Sequence, residues 1–244
     1  MNLIVDIGNT RTKFAVFHDG ALQELKFADQ GAESKVLDEL LENYPQLEKA
    51  ILSATGHIPD PLYNKLNQSL ALIPLSHHLL LPFQNKYATP ETLGLDRIAL
   101  MAAAVKHFPG QNVLVIDTGT CMTFDILEAD GSYHGGAIAP GLRMRYEAMH
   151  HFTAKLPLLE PKALETYQGS STADAMHAGA FRGLVHELNG AIDETKARFD
   201  DLTVILTGGD AQILRDHLKN GIFANSNFLL EGLDFLLELN ALHE

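Results

Sequence analysis

An α/β protein of two similar lobes is predicted by three features of the sequence. The pattern Asp-x-Gly-x-x-x-Thr occurs twice, at Asp6, Gly8 and Thr12 and again at Asp117, Gly119 and Thr123, 111 residues further on. Each copy is framed by apolar residues. Leu3-Ile4-Val5 leads into Asp6 and Phe14-Ala15-Val16-Phe17 leads away, while Val113 to Ile116 leads into Asp117, with Phe124, Ile126 and Leu127 beyond. The remaining chain alternates short apolar runs with stripes of helical period, the pattern of strands and covering helices. Strand, polar turn, strand is therefore made twice, and the repeat divides the 244 residues into lobes of 1–110 and 111–244. A carboxylate and a Gly-rich turn at a strand end, duplicated, suit a polyphosphate and its metal.

Within the first half, Leu22 to Phe27 supplies a third strand, and Val36, Leu37, Leu40 and Leu41 form the apolar stripe of a helix. Ala50-Ile51-Leu52 is a short buried strand. Pro59, Pro61, Pro74 and Pro82 predict short pieces rather than a long helix over the next stretch. Ile98, Met101, Ala102 and Val105 then fall at helical spacing, closed by Pro109-Gly110. In the second half, the turn Asp130-Gly131 leads to a strand ending at Gly135-Gly136, and Pro140-Gly141 precedes a helix with Met144, Ala148 and Met149. Residues 157–171 read as irregular. Ser171 to Asp174 has the signature of a helix start, followed by Met176, Ala180, Leu184, Leu188 and Ile192 on one face. Val204-Ile205-Leu206 is a buried strand running into Thr207-Gly208-Gly209 and a helix, and 229–239 is a closing helix.

Lys plus Arg is 18 against 31 Asp plus Glu, a net charge of −13, which argues against nucleic acid or an acidic membrane as a partner. The single Cys121 leaves no intrachain disulfide and fits a reducing compartment. No basic leader precedes the first strand and no apolar run approaches 18 residues, so a cytoplasmic protein is expected. The 12 His include no HExxH and no zinc-finger spacing, and no Ser stands at nucleophile-elbow spacing.

Asp6-Ile7-Gly8-Asn9-Thr10-Arg11-Thr12-Lys13 lacks the spacing of a P-loop. Its glycine permits close backbone approach, its hydroxyls can bond phosphate oxygens, and Arg11 or Lys13 can offset their charge. An ordinary hairpin turn uses the same residue types. The second copy, with Thr118 and Thr120 around Gly119, favours phosphate. Thr207-Gly208-Gly209 could lie against a nucleotide's sugar or base, or serve only a tight strand-to-helix turn. Transfer of a phosphoryl group to a hydroxyl needs a positioned base, and Asp96 in Gly94-Leu95-Asp96-Arg97 is the candidate. An Asp there also complements a helix dipole. The fork of donors on Arg97 suits an acidic or carbonyl-rich substrate.

Together these residues resemble the type III pantothenate kinases, in the superfamily of actin, sugar kinases and heat-shock chaperone ATPases. Asp6-x-Gly-Asn-Thr is similar to the family's first phosphate motif, Tyr87-x-x-Pro90-x-x-Leu93-Gly94-x-Asp96-Arg97 to its substrate motif, and Asp117-Thr118-Gly119-Thr120 to its second phosphate motif. Gly135-Gly136-Ala137-Ile138-x-Pro140-Gly141-Leu142 with Thr153-Ala154-x-Leu156-Pro157 resembles its central signature, and Thr207-Gly208-Gly209 its adenosine motif. The resemblance implies an actin-like (ribonuclease H-like) duplicated α/β fold, two lobes with a central cleft, and ATP-dependent phosphorylation of pantothenate to 4′-phosphopantothenate, the opening step of coenzyme A synthesis. It implies that Asp6 to Lys13, Thr120, Gly208 and Gly209 bind ATP, with Mg²⁺ held by Asp6. Asp96 becomes the base, Tyr87, Gly94, Leu95, Asp96, Arg97 and Thr172 contact pantothenate, and Thr172 reaches in from the partner of a homodimer. Asp117 holds a monovalent cation, K⁺ or NH₄⁺. Thr172 beside Ser171 can equally be read as helix capping. The competing functions are a noncatalytic regulator on the same fold and an actin-like ATPase or polyphosphate hydrolase.

Overall fold

Strand β1 (Asn2–Ile7) is buried along its whole length, as a run without polar alternation requires when helices cover both faces of its sheet. The computed structural model describes residues 1–8, 11–219 and 222–241. These group into two compact units. One comprises Met1–Pro109, Gly131–His134 and Asn227–Glu244, the other Gly110–Asp130 and Gly135–Ser226. A single cut near residue 110 places 227–244 in the second lobe, whereas the structure groups the closing helix with the first unit.

In the first unit β1 and β2 (Thr12–His18) form an antiparallel hairpin in which Asp6 faces Lys13 and Ile7 faces Thr12. Strand β3 (Ala21–Ala28) follows a tight turn, where Asp19 and Gly20 both take positive φ, 49° and 73°, as a two-residue hairpin turn demands. Strands β4 (Lys49–Ala54) and β5 (Ala71–Pro74) add in parallel, giving the order β3-β2-β1-β4-β5. Leu3, Val5 and Ile7 pack with Leu37 and Leu40 of α1 (Glu33–Asn43) and Leu62 and Leu66 of α2 (Asp60–Ser69). The stretch after Pro59 is made of short pieces as expected, α2 being the longest at ten residues. Pro61 lies in its first turn, where a missing N–H costs nothing. The short strand β6 (Gln84–Asn85) pairs in parallel with Ser132 and Tyr133. Helix α3 (Leu95–His107) packs against the last helix, Phe228–Ala241. Their backbones meet at Gly232, where an added Cβ would collide with the Ala99 carbonyl. This approach draws the C-terminal segment back to the first unit.

The second unit repeats the plan. Strands β7 (Asn112–Thr118) and β8 (Cys121–Leu127) form the second hairpin, β9 (Ser132–Pro140) follows β8, and β10 (Leu202–Thr207) and β11 (Phe223–Ala224) add on the other side of β7. The order β9-β8-β7-β10-β11 matches the first sheet strand for strand. Strand β9 runs on to Pro140 rather than ending at Gly136. Gly136 lets it lie against the Phe124 carbonyl, which a side chain would block. Leu114, Ile116, Met122 and Phe124 pack with Leu142 and Tyr146 of α4 (Leu142–His151) and with the long helical run after Ser171. That run is α5 (Thr172–His177), a π turn over Ala178–Arg182, and α6 (Gly183–Lys196). The π turn has a physical reason. Residues spaced by four drift around an α-helix of 3.6 residues per turn, and one wider turn brings Leu184, Leu188 and Ile192 back onto the face of Met176 and Ala180. Helix α7 (Ala211–Arg215) is a short turn after β10, and α8 is the closing helix Phe228–Ala241.

Two glycines test this packing. Gly232→Val overpacks the α3–α8 contact and is expected to destabilise by about 1–3 kcal/mol. Gly190, inside α6 with nothing within 4 Å of its added Cβ, should tolerate Ala and gain about 0.5–1 kcal/mol. Urea denaturation of both variants checks the contrast.

Candidate active site

Asp6 ends β1 and is only 5% exposed. Lys13, its cross-strand partner, brings Nζ to 3.3 Å from Asp6 Oδ2, and Ser53 on β4 donates a hydrogen bond to the same carboxylate. Burial nevertheless dominates and pushes the Asp6 carboxyl above the usual carboxylate range. Lys13 and Ser53 oppose that shift, and the negative charge of Asp96 reinforces it. Two carboxylates thus stand close enough for the charge of one to raise the other.

The turn after Asp6 is held by the Gly8 N–H donating to the Arg11 carbonyl at 3.2 Å. Arg11 is exposed, with its guanidinium 5.1 Å from the centre of the Phe27 ring. The Ile7 side chain belongs to the core and its carbonyl accepts from the Thr55 N–H, so Ile7 serves the turn as scaffold. Asn9 and Thr10 lie outside the described residues.

Asp96 is the second residue of α3. Its Oδ1 accepts the Arg97 N–H at 2.8 Å, satisfying one of the donors a helix start leaves unpaired. Gly94 stands at the N-cap, and a Cβ there would collide with that same Oδ1, so glycine is what allows the carboxylate to fold back. Leu95 is half-buried beside it. Arg97 is 4% exposed and lies 5.5 Å from the centre of the Tyr87 ring. The structure therefore brings Asp6, Lys13, Asp96, Arg97 and Tyr87 into one unit, although Asp6 and Arg97 are 91 positions apart.

In the second unit, Asp117 ends β7 beside Thr207 of β10. Gly208 has φ 94°, and a side chain there would collide with Asp117 Oδ1 and with the Thr118 backbone. Thr118 Oγ1 donates to the Thr207 carbonyl at 2.7 Å and the Asp210 N–H to the Thr118 carbonyl at 3.1 Å, locking the two strand ends together. Burial raises the Asp210 carboxyl above its ordinary range. Gly141, at the start of α4, fits against the Gly119 and Thr120 carbonyls, where a Cβ would collide with both. Thr120 is exposed at the turn, and Gly209 has open space around its Cα. Thr172 is exposed as the first residue of α5. Capping falls to Ser171, whose Oγ accepts the Asp174 N–H at 3.1 Å.

The two hairpins differ in one respect that the repeat conceals. The second turn is one residue tighter, so Asp117 faces Thr123, whereas Asp6 faces Lys13. The Thr123 hydroxyl is buried with no hydrogen-bond partner. Sequence reading also passes over Ser53 and Tyr133, because only strand pairing brings Ser53 to Asp6 and only ring stacking brings Tyr133 to Tyr87. Thr123 did carry a signal, being the last residue of the repeated pattern. Among the described residues no group of three or more His, Cys, Asp or Glu is placed to hold a metal. No described helix is long and apolar enough to cross a membrane.

Comparison with known proteins accords with this geometry. Among solved structures, a ROK family glucokinase from Streptomyces griseus, in complex with glucose and AMPPNP, superposes with TM-score 0.54 at 14% identity over 99% of each chain. The (R)-2-hydroxyglutaryl-CoA dehydratase component A of Acidaminococcus fermentans gives 0.54 at 15% identity, over 98% of this chain and 97% of that one. These likenesses show the actin-like fold shared by sugar kinases. A type III pantothenate kinase of Christiangramia forsetii is 49% identical over 98% of this chain and 99% of its own, and one of Flavobacterium johnsoniae 46% identical over 96% of each. The family model for type III pantothenate kinase matches residues 2–194, and the chain belongs to that family.

Proposed function

We propose a division of labour among these residues for the reaction of the family. The chain phosphorylates pantothenate with ATP, giving 4′-phosphopantothenate at the entry to coenzyme A synthesis. The observation that carries the reading is the convergence of Asp6, Lys13 and Asp96 beside Arg97 and Tyr87. Asp96 is the base, with Oδ1 held by the helix N–H and Oδ2 left to take the proton of the substrate's primary hydroxyl. Tyr87, Gly94, Leu95 and Arg97 position pantothenate, Arg97 offering its donors to the carboxylate or amide. Asp6 holds Mg²⁺, which when bound neutralises charge on the transferring phosphoryl group. In the first unit Ile7, Gly8, Asn9, Thr10, Arg11, Thr12 and Lys13 are assigned to the phosphates of ATP; in the second unit Thr120 is assigned as an ATP contact and Gly208 and Gly209 to the nucleoside. A noncatalytic regulator would have no use for the glycine-enabled placement of Asp96, and a hydrolase none for the Tyr87–Arg97 wall.

Asp117 binds K⁺ or NH₄⁺. The first hairpin places Lys13 across from its carboxylate and the second the buried, unsatisfied Thr123 hydroxyl, and the likeness of Asp117-Thr118-Gly119-Thr120 to the family's motif supports the cation at the second. The enzyme is a cytoplasmic homodimer in which Thr172 completes the partner's pantothenate site. Supporting this, Thr172 is exposed and not needed as a cap, and Ile138, Phe152, Leu158 and Tyr167 expose apolar surface on the same unit, Phe152 to 81%.

Asp96→Asn is expected to lower kcat by about 10²–10⁴ with the KM for ATP little changed. A coupled ADP-release assay with and without pantothenate measures this, and release independent of pantothenate would identify a hydrolase. Mixing Asp96→Asn chains with inactive Thr172→Arg chains should restore part of the activity, because one site of each mixed dimer carries neither change. Heterodimers without recovery would place each site within one chain.

Because burial raises the Asp6 carboxyl, the folded state bears a cost for its ionised form. That cost is fully present above the folded value and fades as pH falls towards the ordinary ~3.9 of an aspartate. Asp6→Asn should therefore melt a few degrees higher than the parent at pH 7 in EDTA while losing activity, and the gap should close near pH 4. A variant that melts lower at pH 7 contradicts the assignment. The cation reading predicts faster turnover in K⁺ or NH₄⁺ than in Na⁺ at equal ionic strength, with the difference abolished in Asp117→Ala. Equal rates for the parent in all three salts would reject it.

A further inference from the structure

The ring of Tyr87 makes two contacts. Arg97 lies over it, 5.5 Å from the ring centre. Tyr133 stacks on it with centroids 6.3 Å apart and planes 16° from parallel. Tyr133 is fully buried, and Phe83 meets it edge-on at 5.8 Å and 76°. The backbone repeats the arrangement. The Gln84 N–H donates to the Gly131 carbonyl and the Lys86 N–H to the Tyr133 carbonyl, both at 2.8 Å. Tyr87 follows directly on these bonds, and its own N–H donates to Asn85 Oδ1 at 3.0 Å. Gly131 and the first three residues of β9, 132–134, thus join the first unit and seat β6, which ends two residues before Tyr87.

We propose that Tyr133 is a positioning residue that sets affinity for pantothenate by fixing the Tyr87–Arg97 wall. This rests on the reading that Tyr87 and Arg97 contact that substrate. A stacked ring removes rotamer freedom from Tyr87, and a fixed Tyr87 face in turn holds the Arg97 guanidinium by its attraction to the ring. Without Tyr133 the wall must be ordered at the moment of binding, which weakens binding. Phosphoryl transfer is assigned to Asp6 and Asp96, whereas the stack of Tyr133 is made to Tyr87 on the substrate wall. The effect therefore falls on substrate affinity and spares the chemical step.

The test is a double-mutant cycle. Tyr133→Leu is expected to raise the pantothenate KM and its calorimetric Kd about five- to tenfold, the range of one aromatic pair, with kcat and the KM for ATP within about twofold of the parent. Tyr133→Phe keeps the ring, so comparison with Leu separates the stack from the hydroxyl's own contact, and a Phe shift as large as that of Leu would overturn the inference. Tyr133→Met fills the space flexibly and should show the same split as Leu, providing the measurement if Leu folds poorly. In a Tyr87→Leu background, Tyr133→Leu should add almost nothing, because it acts through the ring already removed. If Tyr87→Leu leaves pantothenate binding unchanged, the contact reading fails at its root. If Tyr87→Leu weakens binding but Tyr133→Leu and Tyr133→Met do not, or if the two positions prove additive, Tyr133 is a core residue only and the inference is overturned.

Discussion

A carboxylate that the fold buries against its own preference organises the first unit. Asp6 sits at the end of a strand covered on both faces, so its charge is stripped of most of its water, and Lys13 and Ser53 only partly replace it. Asp96 then adds a second negative charge nearby. A protein selected for stability alone would place an uncharged residue at this point. Keeping two acids together concentrates an electrostatic cost at one strand end.

Close backbone approach provides the precision that such a site needs. Gly94 leaves room for the Asp96 carboxylate, Gly208 for that of Asp117, and Gly141 for the second turn. In each case a single methyl group would displace an acid or the turn beside it. The same device works at longer range in Gly232, which presses α8 onto α3, the helix whose first turn carries Asp96 and Arg97. Rigid elements meeting at glycines hold reactive groups better than loops do.

Duplication supplies the plan, and small departures from it supply the specialisation. Both sheets follow one strand order, and each ends its first strand in an Asp followed by a turn. A one-residue change in turn length is enough to put Lys13 across from one carboxylate and Thr123 across from the other, because shifting register by one changes which residue stands opposite. The start of β9 has diverged further, since Gly131 and residues 132–134 belong to the first unit, where Tyr133 stacks on Tyr87.

The linear order of residues determined a good deal. The repeated Asp-x-Gly-x-x-x-Thr pattern, the apolar runs around it and the Gly94-Leu95-Asp96-Arg97 helix start are local features, and local chemistry was enough to read the strands, the turns, α3 and the candidate base from them. Helix α2 was not singled out among the short pieces, because a proline in a first turn looks the same in sequence as a proline that breaks a helix. Three matters were decided only by tertiary structure: the pairing of β4 that sets Ser53 beside Asp6, the stacking that seats Tyr87 on Tyr133, and the return of α8 to α3 through Gly232. Each joins residues more than 40 positions apart by register, ring overlap or backbone contact. Those relations arise only when the chain has closed on itself, and no spacing along the sequence encodes them.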